Sequence, residues 1–166
     1  MAAVGPKKIC LLGDFAVGKT SLVSRYVNNI FSERYLTTVG VKIDTKLVDL
    51  GEHSLKLVVW DLAGAANLSS PARAYIQGSH AFLTVCDGTR RDTLTTALAL
   101  LDSARLQIGD RPALLLVNKQ DLSEQWEVDQ SSLGFAREKC NGVLATSAKT
   151  GANVDRAFRM LAELVS

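Results

Sequence analysis

Residues 13 to 20 read Gly-Asp-Phe-Ala-Val-Gly-Lys-Thr, and glycines, lysine and hydroxyl at this spacing make a phosphate-cradling loop. Gly13 and Gly18 let the backbone curl so that successive N–H groups point inward at an anion. Lys19 then reaches the β- and γ-phosphates of a nucleoside triphosphate, and the Thr20 hydroxyl can ligate Mg²⁺. Asn118-Lys119-Gln120-Asp121 selects the base. The Asp121 carboxylate can accept two hydrogen bonds, from N1–H and the exocyclic amine of guanine. Adenine has no matching donor pair and would leave the charge unpaired. Lys119 would lay its methylenes along the base, and Asn118 would brace the loop. Ser147-Ala148-Lys149 adds the Ala148 N–H as a donor to guanine O6.

These groups need strands and helices to carry them. An apolar run, Ile9 to Leu12, precedes the phosphate loop, and Leu22, Val23, Tyr26 and Val27 follow it at helical spacing, so the order is strand, loop, helix, with the positive helix N-terminus facing the anion. Residues 39–50 and 55–60 read as two strands joined by a turn at Gly51-Glu52-His53, which makes them antiparallel. Short apolar runs at 81–86, 113–117 and 143–145 suit central strands of a parallel sheet. Helical patterns fall at 21–28, 71–77, 92–107, 131–139 and 154–165. The expected fold class is α/β: a six-stranded, mostly parallel sheet with one antiparallel strand and helices on both faces. Ligand loops then lie at the C-terminal ends of the strands. Residues 1–6 are expected to be a flexible N-terminus and residues 7–166 one domain.

Composition bounds the rest. The 166 residues are 47% hydrophobic, enough for one core, and the net charge of +2 with 22% charged residues offers no basic field for nucleic acid. No apolar stretch reaches the ~18 residues of a membrane span, and the first residues lack a signal-peptide pattern, so the expectation is a cytoplasmic protein. Cys10, Cys86 and Cys140 are dispersed without ligand spacing and are expected to be buried thiols. The apolar segment Ala97 to Leu101 is read first as a core helix.

With both motifs in place, the chain resembles a small Ras-superfamily GTPase of the Rab-like branch over residues 7 to 165. The resemblance implies that this α/β fold is a P-loop NTPase G domain and that it works as a GTP/GDP switch that uses Mg²⁺ and hydrolyses GTP. It places Phe15, Ala16, Val17 and Ser21 around the phosphates beside Gly13, Gly18, Lys19 and Thr20. It assigns the sensing threonine of switch I to Thr38 and the start of switch II to Asp61-Leu62-Ala63-Gly64. Metal ligands would be Thr20, Thr38 and, through water, Asp61, and the catalytic contacts Lys19, Thr38 and Gly64. Phe31 falls where the family packs an aromatic edge on guanine, although a core role fits it equally, and Tyr35 falls where the family covers the phosphates. Base contacts carry over to Asn118, Lys119, Asp121, Ser147, Ala148 and Lys149. Partners would be effector and regulatory proteins meeting a monomer through switch I and switch II. Ile43, Trp60 and Tyr75 stand where Rab proteins have an aromatic effector patch, with partial burial as the other explanation.

Two departures limit the resemblance. Ala65 stands where the family usually has the glutamine that orients the attacking water, and an alanine cannot do so. Phe15 replaces a usual Gly or Ser beside the entry route of an arginine finger, which is worth ~10³–10⁵ in rate in Ras-type enzymes. Hydrolysis is therefore expected to be slow. The alternative is a GTP-binding scaffold with negligible hydrolysis. Arg34 and Asn67 are candidates to replace the missing group. The lipidated tail of the family has no counterpart after Leu164-Val165-Ser166, which leaves open a trimmed chain or an unanchored protein.

Overall fold

Alternate residues of the central strands face opposite directions, and both faces are apolar, so the sheet must be covered on both sides. In the computed structural model, which describes residues 5–34 and 38–166, this is what the chain does. The strands are β1 (Lys7–Gly13), β2 (Val41–Asp49), β3 (Ser54–Leu62), β4 (Ala81–Asp87), β5 (Ala113–Asn118) and β6 (Gly142–Ala145). They form one sheet in the order β2-β3-β1-β4-β5-β6. Only the β2–β3 pair, joined by the turn at Gly51, is antiparallel.

The helices are α1 (Lys19–Asn28), α2 (Ser70–Tyr75), α3 (Arg91–Ile108), α4 (Gly134–Lys139) and α5 (Val154–Val165), with a 3-10 helix at Gln120–Gln125. On one face Ile9, Leu11, Leu83, Val85, Leu114 and Leu116 pack against Leu22, Val23 and Tyr26 of α1 and Phe158 and Leu161 of α5. Tyr26 stacks on Phe158 with ring centroids 3.9 Å apart. On the other face Cys10, Leu12 and Phe82 meet Leu100, Leu101 and Ala104 of α3, while Cys86, Leu115 and Val117 meet Leu94, Ala97 and Ala136. Ala97, Leu100 and Leu101 of the apolar segment of α3 are thus core, whereas Leu106 further along the helix is 88% exposed. Cys10 and Cys86 are buried and Cys140 is half-buried; burial pushes their thiols upward, to about 11 for Cys10 and about 12 for Cys86.

The register puts the ends of the strands together. Gly13 pairs with Val85, Leu11 with Asp61, and Asp87 with Asn118. The C-terminal ends of β1, β3, β4 and β5 therefore open onto one edge, where an α/β sheet of this kind binds its ligand. Among the described residues no helix is long and apolar enough to cross a membrane.

Candidate guanine-nucleotide site

A cleft of about 330 Å³ lies along that edge, lined at one end by Ala16, Lys19 and Thr20 and at the other by Asn118, Lys119, Asp121 and Ala148. The chain leaves β1 at Gly13, turns through the phosphate loop and enters α1 directly after Gly18 (φ 98°). The free N–H groups of the first turn of α1 thus face the cleft. Lys19 is buried, and its ammonium donates to the carbonyls of Gly13 at 3.2 Å and Asp14 at 3.3 Å. Burial lowers its pKa below the ordinary lysine value, against the opposing pull of Asp61 and Asp14. Val17 is core; its carbonyl accepts a bond from the Asn118 amide at 2.9 Å, so the phosphate loop and the base loop hold one another. Ser21 lines the cleft beside Thr20.

Three oxygen-bearing side chains converge beside Lys19. Thr20 Oγ1 donates to Asp61 Oδ2 at 2.6 Å and lies 2.5 Å from Thr38 Oγ1, which is itself 3.3 Å from the same carboxylate oxygen. The other Asp61 oxygen is buried without a partner. Burial raises the Asp61 carboxyl above its usual range, against the lowering effect of Thr20, Lys19 and Thr38. Two hydroxyls and an under-satisfied buried carboxylate form a hard-oxygen set whose chemistry fits Mg²⁺. No cluster of three His, Cys, Asp or Glu side chains able to hold a metal occurs among the described residues.

Gly64 follows the end of β3 by two residues. A Cβ there would stand 2.8 Å from Phe15 Cα and 2.9 Å from Asp14 O, so only glycine lets this strand exit lie against the phosphate loop. The following N–H, of Ala65, donates to Gly13 O at 3.2 Å. Phe15 is 58% exposed and lines the cleft, as does Arg34. Asn67 is exposed, whereas Leu68 turns into the core. Tyr35 lies outside the described residues.

The base end is closely bonded. Asn118 accepts from Thr146 Oγ1 at 3.2 Å while donating to Val17. Ser147 Oγ donates to Asp121 at 2.7 Å, and Arg25 reaches the carbonyls of Ala148 and Lys149 at 2.7 and 2.5 Å. Lys149 pairs with Glu33 at 3.1 Å, which raises its pKa, and Phe31 both packs on the core and lines the cleft. The core role of Phe31 is thus present, and its edge is available to the cleft. Lys119 pairs with Asp87 at 2.9 Å, a contact the sequence reading did not include. Burial alone would raise the Asp87 carboxyl, but the bonds from Lys119 and Thr89 outweigh it and hold it below the usual range. Arg90 joins Asp87 at 3.2 Å and donates to Phe15 O at 2.7 Å, linking the fourth strand end to the phosphate loop. A carboxylate that ends an apolar run, as in Val85-Cys86-Asp87, was the available signal.

Beyond the cleft, Trp60 and Tyr75 lie with ring centroids 6.2 Å apart, and Ile43, 48% exposed, pairs with Trp60 across β2 and β3. The Lys8 ammonium sits 3.6 Å above the Trp60 ring and donates to the carbonyls of Tyr75 and Gln77 at the end of α2.

A phosphate loop, an oxygen-donor cluster and a base-reading loop on one edge of this sheet define a P-loop nucleotide-binding domain. The Ras family model matches residues 8–166, and the chain belongs to the Ras family. Ras-related protein Rab-17 of Mus musculus is 40% identical over 159 residues, covering 94% of this chain and 74% of the relative. The Homo sapiens protein of the same name is 39% identical with the same coverage. The chain is accordingly a Rab-like small GTP-binding switch protein.

Proposed function

We propose that this chain binds GTP and GDP in the cleft described above and hydrolyses GTP slowly, because Ala65 occupies the position from which the family's glutamine orients water. The observation that carries this reading is the geometry of residues 13 to 15 and 64 to 65. The Ala65 N–H is held by Gly13 O, its methyl offers no donor or acceptor, and Phe15 stands exposed over the approach. Hydrolysis then depends on positioning and charge alone.

Lys19 exchanges its two carbonyl partners for β- and γ-phosphate oxygens. Asn118 and Asp121 fix the base, with Ser147 orienting the Asp121 carboxylate and the Ala148 N–H donating to O6. Thr20 and Thr38, with Asp61 acting through water, would hold Mg²⁺, which supplies positive charge against the phosphates when bound. The N–H groups of Thr38 and Gly64 meet the γ-phosphate, so its loss releases both switch segments and alters the surface around Ile43, Trp60 and Tyr75 that effector and regulatory proteins would read. We read residues 7–166 as a single, monomeric domain of this kind.

Single-turnover conversion of preloaded GTP at millimolar Mg²⁺ tests the reading. GTP persisting for hours is expected, on the slow intrinsic scale of order 10⁻⁴ s⁻¹ or below. Conversion within minutes would sink it and point to Arg34 or Asn67 as the replacement group. Ala65→Gln should raise the rate at least about tenfold if the missing amide is the limiting part. An unchanged rate would instead favour the second reading, a GTP-binding scaffold with negligible hydrolysis, in which the Phe15 ring closes the approach.

A further inference from the structure

The indole of Trp126 lies far along the chain from the groups that touch phosphate, yet it closes the segment that reads the base. Its Nε1–H donates to Lys119 O at 2.9 Å, spanning the 3-10 helix from one end to the other. Lys119 is held there in a left-handed conformation (φ 70°), which a non-glycine residue adopts at a cost. Below the ring lies buried Gly88, where any Cβ would collide with the indole. Gly88 N donates to Asn118 O at 3.0 Å, and Gly88 O accepts from Glu127 N at 2.8 Å and Val128 N at 3.2 Å. The indole therefore rests on a backbone that is itself bonded to both ends of the loop.

We infer that Trp126 is a positioning residue for guanine recognition: by seating on Gly88 and holding the Lys119 carbonyl, it fixes the backbone from which Asp121 projects. Asp121 lies two residues beyond that carbonyl, so slack at Lys119 becomes angular error in the two hydrogen bonds that distinguish guanine. With the loop set in advance, guanine binding does not have to order it, which lowers the cost of binding and slows release. This inference rests on the assignment of Asp121 to the base.

Trp126→Phe removes the N–H donor while keeping a ring over Gly88. The measurement is the release rate of a fluorescent GDP analogue, together with the ratio of affinities for GDP and IDP, whose base lacks the exocyclic amine. Loss of one neutral hydrogen bond should accelerate release about fivefold and lower the GDP-to-IDP ratio by a similar factor. Gly88→Ala, which lifts the indole from below, should move both quantities in the same direction. Unchanged release, or faster release with an unchanged ratio, would overturn the inference and leave Trp126 as packing. Equal affinity of the wild-type chain for GDP and IDP would overturn the Asp121 assignment itself, and is distinguishable because it needs no variant.

Discussion

The two ends of the cleft are built differently. At the base end every named side chain has its partner within the protein: Asn118 on Val17 and Thr146, Asp121 on Ser147, Lys119 on Asp87. At the γ-phosphate end Lys19 leans on backbone carbonyls, two threonine hydroxyls crowd one oxygen of Asp61, and its other oxygen is buried without a partner. Buried polar groups cost free energy when unpaired. The first end is thus set by the protein's own contacts, whereas the second has groups that a ligand would complete. A switch needs this asymmetry, since affinity must survive hydrolysis while conformation must not.

Mutations at the two ends should therefore separate. Asp121→Ala should weaken GDP and GTP alike, by about a hundredfold, because charge-assisted bonds to the base are lost in both states. Calorimetric titration with each nucleotide checks this, and an effect confined to GTP would erase the contrast. Thr38→Ala should weaken Mg²⁺–GTP about tenfold and leave GDP nearly unchanged, since its contacts belong to the γ-phosphate state. Equal losses for both nucleotides would show that Thr38 supports the resting site instead. The smallest effect is expected where the halves are joined. Arg90→Ala removes a half-exposed bond to Phe15 O and should speed GDP release only about threefold. Stopped-flow displacement would reveal a larger change if the phosphate loop relies on that arginine for its shape.

Most of the frame was legible because the central strands are apolar on both faces and the helices on one. The five helices and six strands fall close to their expected places, and the antiparallel pair follows from the turn at Gly51. The exceptions have local causes. The expected start of a helix at 131 is delayed to Gly134 because Asp129 Oδ1 captures the N–H of Ser132 at 2.9 Å and the hydroxyls of Ser131 and Ser132 at 2.8 and 2.7 Å. Such side-chain bonds compete with helical ones. The 3-10 helix after Lys119 carries no periodic pattern, and Leu122 within it is not helical (φ −107°).

For the site, motif spacing named the residues proposed to meet ligand but not those that hold them in place. Asp87 and Arg90 act through partners on other strands and loops, and no spacing rule places them. Trp126 depends on the absence of a side chain at Gly88, a complementarity that appears only once the two segments are adjacent. Leu68 follows the exposed Asn67 yet belongs to the core cluster that holds Ile76 and Phe82, a burial that no periodic pattern in this segment announces.

The chain carries two tryptophans, one beyond the cleft against α2 and one beneath its base end. Trp60 lies beneath the Lys8 ammonium beside α2, and Trp126 beneath the base loop. The unlabelled protein thus contains a separate optical reporter for each half of its cycle. Quenching of Trp60 should follow displacement of switch II, and the emission of Trp126 should follow departure of the base. Trp60→Phe leaves the Trp126 signal alone, so subtracting its emission trace from that of the unaltered chain separates the moment the base lets go from the moment the switch does.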